Sequence, residues 1–289
     1  MLSRLRPTIP SRITNRAELA AHRHPSALQS LENCHLCAHH CGVNRHRGQR
    51  GFCKVGARSN IFSSQIEVSD ELELIPTYAI AFSGCDMRCS FCITGADSWN
   101  PSAGTPMNVT QIAHKATSAL ENGARSVMIL GGEPTVHLPN VLELVSLLPE
   151  EAYLIWKTNA HASSQSRDYL QGLFDCWLVD YKFGNDTCAF QLSGVRNYSE
   201  VVQENLQFAH QDSELIVRHL LMPGHVYCCW QKVATWIAAC LPQVKVHLMF
   251  GFWPAWQSQK HPEFQKQTTP TELDDARKIA ETLNLRLIE

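Results

Sequence analysis

The chain has 289 residues, long enough for one large domain or two ordinary ones. Hydrophobic residues make up 44% and charged residues 18%, and no apolar run approaches about 18 residues, which excludes a disordered chain and a membrane-spanning helix. Lys plus Arg number 25 against 27 Asp plus Glu, so a net charge of -2 offers no polybasic field of the kind that attracts duplex nucleic acid or an anionic membrane.

Residues 1–30 carry Arg4, Arg6, Arg12, Arg16 and Arg23 against the single acid Glu18, with Pro7, Pro10 and Pro25 interrupting any long helix. They read as a poorly ordered basic arm with one short helix. No apolar stretch follows Arg4 and Arg6 as a secretory signal would require, so the expected setting is a reducing cytoplasm. The twelve cysteines fall in clusters, which in that setting points to metal rather than to disulfides. Residues 31–73 form a cysteine-rich module. From Cys34 to Cys53 it has hardly an aliphatic residue, too little apolar surface to fold without a staple. Cys34, Cys37, Cys41 and Cys53 are expected to bind metal together, with His35, His39, His40 and His46 as surface neighbours rather than ligands. The metal is zinc, closed and structural, or an auxiliary iron–sulfur cluster that relays electrons or holds substrate; the shortage of apolar residues favours zinc.

From residue 74 to 255 short apolar runs alternate with helical stretches, the βα rhythm. Strands are expected at Thr77–Ser83, Ser126–Leu130, Tyr153–Trp156, Trp177–Tyr181, Leu215–Leu221 and Val244–Phe250, each nearly continuous in apolar character, as strands buried on both faces should be. Helices are expected at 109–122, 139–148, 165–173, 199–210 and 227–241. Residues 256–289 read as a loop and a helix packing on the core, the helix opening with the capping box Thr269-Pro270-Thr271-Glu272. The rhythm admits an open doubly wound sheet or a partial barrel, and in both, chemistry gathers at the carboxyl ends of the strands.

The first strand is followed by Cys85-x3-Cys89-x2-Cys92. Four-iron clusters normally take four cysteines, so a close triplet leaves one iron open to a non-protein ligand; a zinc site with a distant fourth ligand is the plainer alternative. The second strand runs into Gly131-Gly132-Glu133-Pro134, where glycines allow close backbone approach and Glu133 supplies one carboxylate. The third ends in Lys157-Thr158-Asn159, the fourth in Asp180-Tyr181-Lys182, the fifth in Arg218-His219 running into Met222-Pro223-Gly224-His225, and the sixth in Gly251-Phe252-Trp253.

The triplet at the end of a first strand, followed by Gly131-Gly132-Glu133-Pro134 at the end of a second, resembles the radical S-adenosylmethionine (SAM) superfamily. Phe82-Ser83-Gly84-Cys85, Asp180-x-Lys182 and Arg218-His219-Leu220 through Pro223-Gly224-His225 look most like the group related to pyruvate formate-lyase activating enzymes. The Cys34–Cys53 stretch, with Gly42-Val43-Asn44-Arg45, resembles a branch of it with a cysteine-rich N-terminus. The resemblance implies a partial (β/α)6 TIM-like barrel with a small N-terminal metal module. It implies that Cys85, Cys89 and Cys92 hold a [4Fe-4S] cluster whose open iron is chelated by SAM. Gly132 and Glu133 would meet the SAM amino group, Thr158 or Asn159, Asp180, Lys182 and Arg218 would line its carboxylate, ribose and sulfonium side, and Gly131, Pro134 and His219 would belong to the same cofactor-binding set. One electron from a flavodoxin or ferredoxin would cleave SAM to methionine and a 5′-deoxyadenosyl radical that abstracts a hydrogen atom from substrate.

Auxiliary clusters of the activating enzymes follow the triplet, whereas residues 93–108 here contain no cysteine and read as a loop. The substrate is a glycyl-radical enzyme, another peptide or protein, or a small molecule; a non-catalytic iron–sulfur or zinc scaffold is the remaining alternative. An activase needs a broad mouth for a loop of a large protein, and Phe252, Trp253 and Trp256 are candidates to wall or close it. For Asp180 and Lys182 the plain alternative is an ion pair. Cys229 and Cys240 are expected in the apolar face of a helix, Cys228 beside His225 toward the mouth, and Cys176 and Cys188 as packing residues.

Overall fold

Runs in which nearly every residue is apolar form the centre of one nine-stranded sheet in the computed structural model, which describes residues 15–69 and 71–288. Its strands are β1 (Asn60–Glu67), β2 (Thr77–Phe82), β3 (Thr105–Pro106), β4 (Ser126–Gly131), β5 (Leu154–Thr158), β6 (Cys176–Asp180), β7 (Glu214–Leu220), β8 (Lys245–Met249) and β9 (Arg286–Leu287). The helices are α1 (Arg16–Gln29), α2 (Gly95–Trp99), α3 (Val109–Glu121), α4 (Leu138–Val145), α5 (Ser164–Leu170), α6 (Asp186–Ser193), α7 (Tyr198–Asp212), α8 (Gln231–Cys240) and α9 (Pro270–Thr282). Among the described residues no helix is long and apolar enough to cross a membrane.

The sheet order is β3-β1-β2-β4-β5-β6-β7-β8-β9. From β2 to β9 every neighbouring pair is parallel, while β1 joins β2 antiparallel and β3 caps that edge. The parallel strands follow one another without the reversal that a doubly wound sheet has at its switch point. Right-handed crossovers then put the connecting helices on one face, and the sheet curls round the other into a (β/α)6 partial barrel.

The period of two along each strand divides the barrel into an outside and an inside. Val127, Ile129, Trp156, Trp177, Val179, Val217 and Val246 face outward and are buried under the helices. Met128, Ile155, Cys176, Leu178 and Ile216 face inward as a separate apolar floor. Two residues further along the same inner face stand Leu130, Lys157, Asp180 and Arg218, and register places Asp180 beside Arg218. The barrel is therefore apolar at its base and charged at its carboxyl-end mouth.

Within the arm expected to be poorly ordered at residues 1–30, Arg16–Gln29 form α1, and residues 1–14 lie outside the described part. Asn15 caps α1 by accepting from the Glu18 amide at 2.8 Å, and the helix runs on through Pro25. Leu19, Ala20 and Ala27 are buried on α1, which packs on α4, and Arg23 donates to the Tyr169 and Gln171 carbonyls at 3.2 and 2.5 Å. Tertiary packing thus outweighs the local effect of one proline.

The strands and helices expected from the sequence occur within a few residues of their predicted bounds, while β1, β3, β9, α2 and α6 are additions. β1 runs Asn60-Ile61-Phe62-Ser63-Ser64-Gln65-Ile66-Glu67 without regular alternation, and α6 has only eight residues, so neither has a strong periodic signal. The predicted helix at 227–241 is divided into a π-turn, Val226–Trp230, and α8. Trp177, fully buried against Trp156 and Phe208, anchors the outer layer. Trp177→Ala is expected to cost about 3–5 kcal/mol, read as a fall in the urea midpoint of unfolding.

Candidate active site

After β2 the triplet loop folds over the carboxyl end of the barrel. Gly84 turns it with φ +101°, and a side chain there would stand 2.5 Å from Val55. Arg88 clamps the loop, donating to the Cys85 and Met87 carbonyls at 2.6 and 2.9 Å and to the Phe52 carbonyl at 2.6 Å. The Met87 amide donates to the Cys85 sulfur at 3.3 Å. Cys85, Cys89 and Cys92 all line one cavity of about 430 Å³, within the usual range for a small-molecule site. Burial pushes the Cys85 thiol up, and raises Cys89 to about 12 against the opposing pull of Lys182. Thiols so placed need a cation beyond Lys182 to become thiolates, and a triplet of them on one cavity wall suits iron.

Gly131 and Gly132 bring β4 against this loop. A Cβ on Gly132 would lie 2.2 Å from the Gly84 carbonyl oxygen and 3.1 Å from the Cys85 Cβ, so only glycine permits the approach. Glu133 is buried and its side chain is fully engaged. Its Oε1 accepts from the Thr135 amide (3.0 Å), the Thr135 hydroxyl (2.6 Å) and the Thr158 hydroxyl (2.7 Å), and its Oε2 from the Asn159 amide (2.8 Å). Burial, then the charge of Asp86, raise it to about 7 despite these donors. The Glu133 side chain is thus a strut between the ends of β4 and β5.

The inner face supplies the charges. Lys182 Nζ bonds Asp180 Oδ2 at 2.6 Å, so the ion pair at this strand end is real. Arg218 Nε lies 3.5 Å from Asp180 Oδ1 and 2.9 Å from buried Glu71, which also meets His247 at 2.8 Å. Burial alone would raise Asp180, but Lys182 and Arg218 bring it down to about 2. A fixed anion flanked by cations therefore stands across the cavity from the thiols.

The structure brings Cys85, Cys89, Cys92, Gly131, Gly132, Glu133, Thr158, Asn159, Asp180, Lys182 and Arg218 onto one cavity. Two expected residues are elsewhere. Pro134 is buried at the start of a 3₁₀ turn behind the wall. His219, odd in the period-two pattern, points outward, accepting or donating at Nδ1 with the Tyr181 carbonyl at 2.7 Å and packing on Trp230. Sequence reasoning missed the wall residues Thr94, Trp99 and Met249, the last of which the alternation from His247 would have found. It also missed Asp86, whose carboxylate holds Asn159 Nδ2 at 2.8 Å and His161 Nδ1 at 2.9 Å. A second depression of about 500 Å³ lies near Arg16, Glu150 and Asp175, at the amino ends of the strands, where such barrels carry no chemistry.

The cysteine-rich module packs directly on this site. Cys34, Cys37 and Cys53 are buried and Cys41 is exposed. Cys37 and Cys53 cluster with Val55 and Val136, and buried Arg45 donates to the Val136 carbonyl at 2.7 Å and toward the Cys53 sulfur at 3.5 Å. Gly51 admits Cys41, whose sulfur would lie 2.7 Å from a side chain there, and the Phe52 amide points at that sulfur from 3.4 Å. His39 contacts the Asp86 carbonyl at 2.8 Å. Among the described residues, the ligand atoms that lie within 4.8 Å of one another in a group of three or more belong to Cys188, His225, Cys228 and Cys229, not to this module. Cys240 is exposed, contrary to expectation, whereas Cys176 and Cys229 are buried.

Residues 80–237, just over half of the chain, match the radical SAM superfamily. The chain belongs to that superfamily. It is 32% identical over 269 residues to an uncharacterized protein of Methanocaldococcus jannaschii, covering 89% of this chain and 77% of that one. A stretch of 103 residues, 36% of this chain, is 30% identical to 40% of the 7-carboxy-7-deazaguanine synthase of Methanothermobacter thermautotrophicus. Among solved structures, Streptococcus suis SuiB bound to precursor peptide SuiA superposes with TM-score 0.52 at 16% identity, over 70% of this chain. The chain spans 46% of SuiB, under half of its length. A radical SAM methyltransferase from Sphaerobacter thermophilus superposes with TM-score 0.52 at 15% identity, over 72% of this chain and 64% of that one. These likenesses show the fold, and the superfamily carries a [4Fe-4S] cluster and SAM.

Gly132→Ala is expected to displace Cys85, so that SAM no longer perturbs the electron paramagnetic resonance spectrum of the reduced, reconstituted protein. Glu133→Ala leaves buried donors unpaired, and should lower stability by about 1–3 kcal/mol in urea unfolding. It should also weaken SAM binding about tenfold in isothermal titration, since the Thr158–Asn159 wall loses its support.

Proposed function

We propose that the chain abstracts a hydrogen atom from a peptide or protein segment, as an activase of a glycyl-radical enzyme would. The observation that carries this reading is the rim of the mouth. Ile93 and Trp253 line the cavity yet are 82% and 66% exposed, and Trp256 beside them is 38% exposed. Large apolar side chains exposed together at the entrance suit a docking segment rather than closure over a small molecule. Cys85, Cys89 and Cys92 would hold a [4Fe-4S] cluster, which with SAM and one electron from a flavodoxin or ferredoxin-type donor would supply reductive cleavage of SAM. Gly131 and Gly132 provide the close backbone approach, and Thr158 and Asn159, held by Glu133, form the wall beside it. Asp180 offers an ionised acceptor for an amine or for ribose hydroxyls, kept charged by Lys182 and Arg218, and Lys182 also favours thiolate at Cys89.

The upstream cysteines are best read as an iron–sulfur ligand set. Around zinc four thiolates at about 2.3 Å would stand about 3.8 Å from one another. Cys34, Cys37, Cys41 and Cys53 form no such compact group, and neither does the radical triplet. Their contact with the Asp86 loop suits a relay of electrons toward the triplet.

The test is turnover after anaerobic reconstitution and reduction. 5′-Deoxyadenosine should form, and Cys85→Ala, Cys89→Ala and Cys92→Ala should each abolish it. Incubation with extracts of fully deuterated cells, separated by size, then locates the substrate. Deuterium entering 5′-deoxyadenosine from the macromolecular fraction supports the peptide reading, and deuterium only from the small-molecule fraction refutes it.

A further inference from the structure

Four further ligand-type side chains of the barrel wall converge outside the cavity. His225, Cys228 and Cys229 are spaced i, i+3 and i+4, so one turn places all three side chains on one face. That turn is a π-turn, Val226–Trp230, with the Cys229 and Trp230 amides both donating to the His225 carbonyl at 3.0 and 3.1 Å. Cys188 comes from the first turn of α6, whose cap Asn185 donates to the Cys228 carbonyl at 2.8 Å and to the Cys188 sulfur at 3.2 Å. Gly184 makes the meeting possible, because a Cβ there would lie 2.4 Å from the Cys229 carbonyl oxygen and 2.7 Å from its Cα.

The ligand atoms are spaced as a single ion requires. Cys188 and Cys228 sulfurs are 3.9 Å apart, and His225 Nδ1 lies 3.3 Å from the Cys228 sulfur and 3.5 Å from that of Cys229. All four atoms fall within 4.8 Å of one another. Tetrahedral zinc, with bonds of about 2.3 Å to sulfur and 2.0–2.1 Å to nitrogen, puts its ligand atoms about 3.5–3.8 Å apart. A four-iron cube, with its own iron–sulfur skeleton between the ligands, needs them farther apart. We propose that Cys188, His225, Cys228 and Cys229 bind one zinc ion in a closed Cys3His site.

A closed four-ligand set is structural, with no open position for water or substrate. It joins the turn after β6, which follows Lys182, to the turn after β7. His225 also packs on Phe264, and Phe264 packs on Phe91, which lies between Cys89 and Cys92 in the triplet loop. Zinc here braces the outer wall of the mouth, next to the catalytic loop but without sharing a ligand with it. The site stands independently of the substrate reading.

The experiment is metal analysis of the full-length protein expressed with zinc and purified under thiol reductant. The unaltered chain should retain one zinc per chain; Cys188→Ala and Cys228→Ser should each lose it with iron unchanged. Cys34→Ser/Cys37→Ser should keep the zinc. On the unaltered protein, cobalt(II) added after chelation should give thiolate charge-transfer and tetrahedral ligand-field bands. Zinc-edge X-ray absorption should fit three sulfurs at about 2.3 Å and one nitrogen at about 2.0–2.1 Å. The proposal fails if the unaltered chain binds neither zinc nor cobalt, if Cys188→Ala keeps its zinc, or if only the N-terminal variant loses it. A Cys188–Cys228 disulfide in the reduced preparation would overturn it as well.

Discussion

Asn159 stands between two buried carboxylates and donates to both. Its backbone amide reaches Glu133 and its side-chain amide reaches Asp86, each at 2.8 Å. Asp86 belongs to the triplet loop, Glu133 to the turn after β4, and Asn159 to the end of β5, so one residue fixes three segments that the chain supplies separately. The carboxylates repel, which contributes to raising Glu133, yet each is saturated with donors. For Asp86, hydrogen bonds from His161 and Asn159 outweigh burial and hold the carboxylate low. Buried charge is costly unless paired, and these pairs position the ligands of the cavity.

The cysteine-rich module adds to the same network. His39 touches the Asp86 carbonyl and stacks on Phe52, and Arg88 crosses from the triplet loop to the Phe52 carbonyl and ring. Arg45, inside the module, holds the Val136 carbonyl on the turn that follows Glu133. With so little apolar surface of its own, the module takes its shape from polar contacts with the barrel. The charge of Asp86 raises thiols of both sets, Cys37 and Cys53 in the module and Cys85 and Cys89 in the triplet.

Thiol spacing separates ten of the twelve cysteines into three groups, leaving Cys176 and Cys240 outside them. Among the described residues, Cys188, Cys228 and Cys229 close with His225 to single-ion distances, whereas neither the triplet nor the upstream four form so compact a group. The triplet lines the mouth, the upstream four lie in the module packed beside it, and the compact group stands on the wall outside the cavity.

Much of this was legible in the chain. Continuous apolar runs located the six central strands because burial on both faces leaves no room for polar residues, and the ends of those runs located most of the cavity wall. Local spacing alone identified the cysteine triplet and the capping box of α9. Other features depended on strand order and on facing direction. The unbroken order chose a partial barrel over a doubly wound sheet, and the period of two turned Arg218 inward and His219 outward although they are adjacent. Cys188, more than thirty residues from His225, could be recognised as its partner only once Gly184 had let the two turns meet. Ligand types and strand runs are local properties and can be read from the sequence. Which side chains share one cavity or one ion is a matter of distance, and distance is decided by packing.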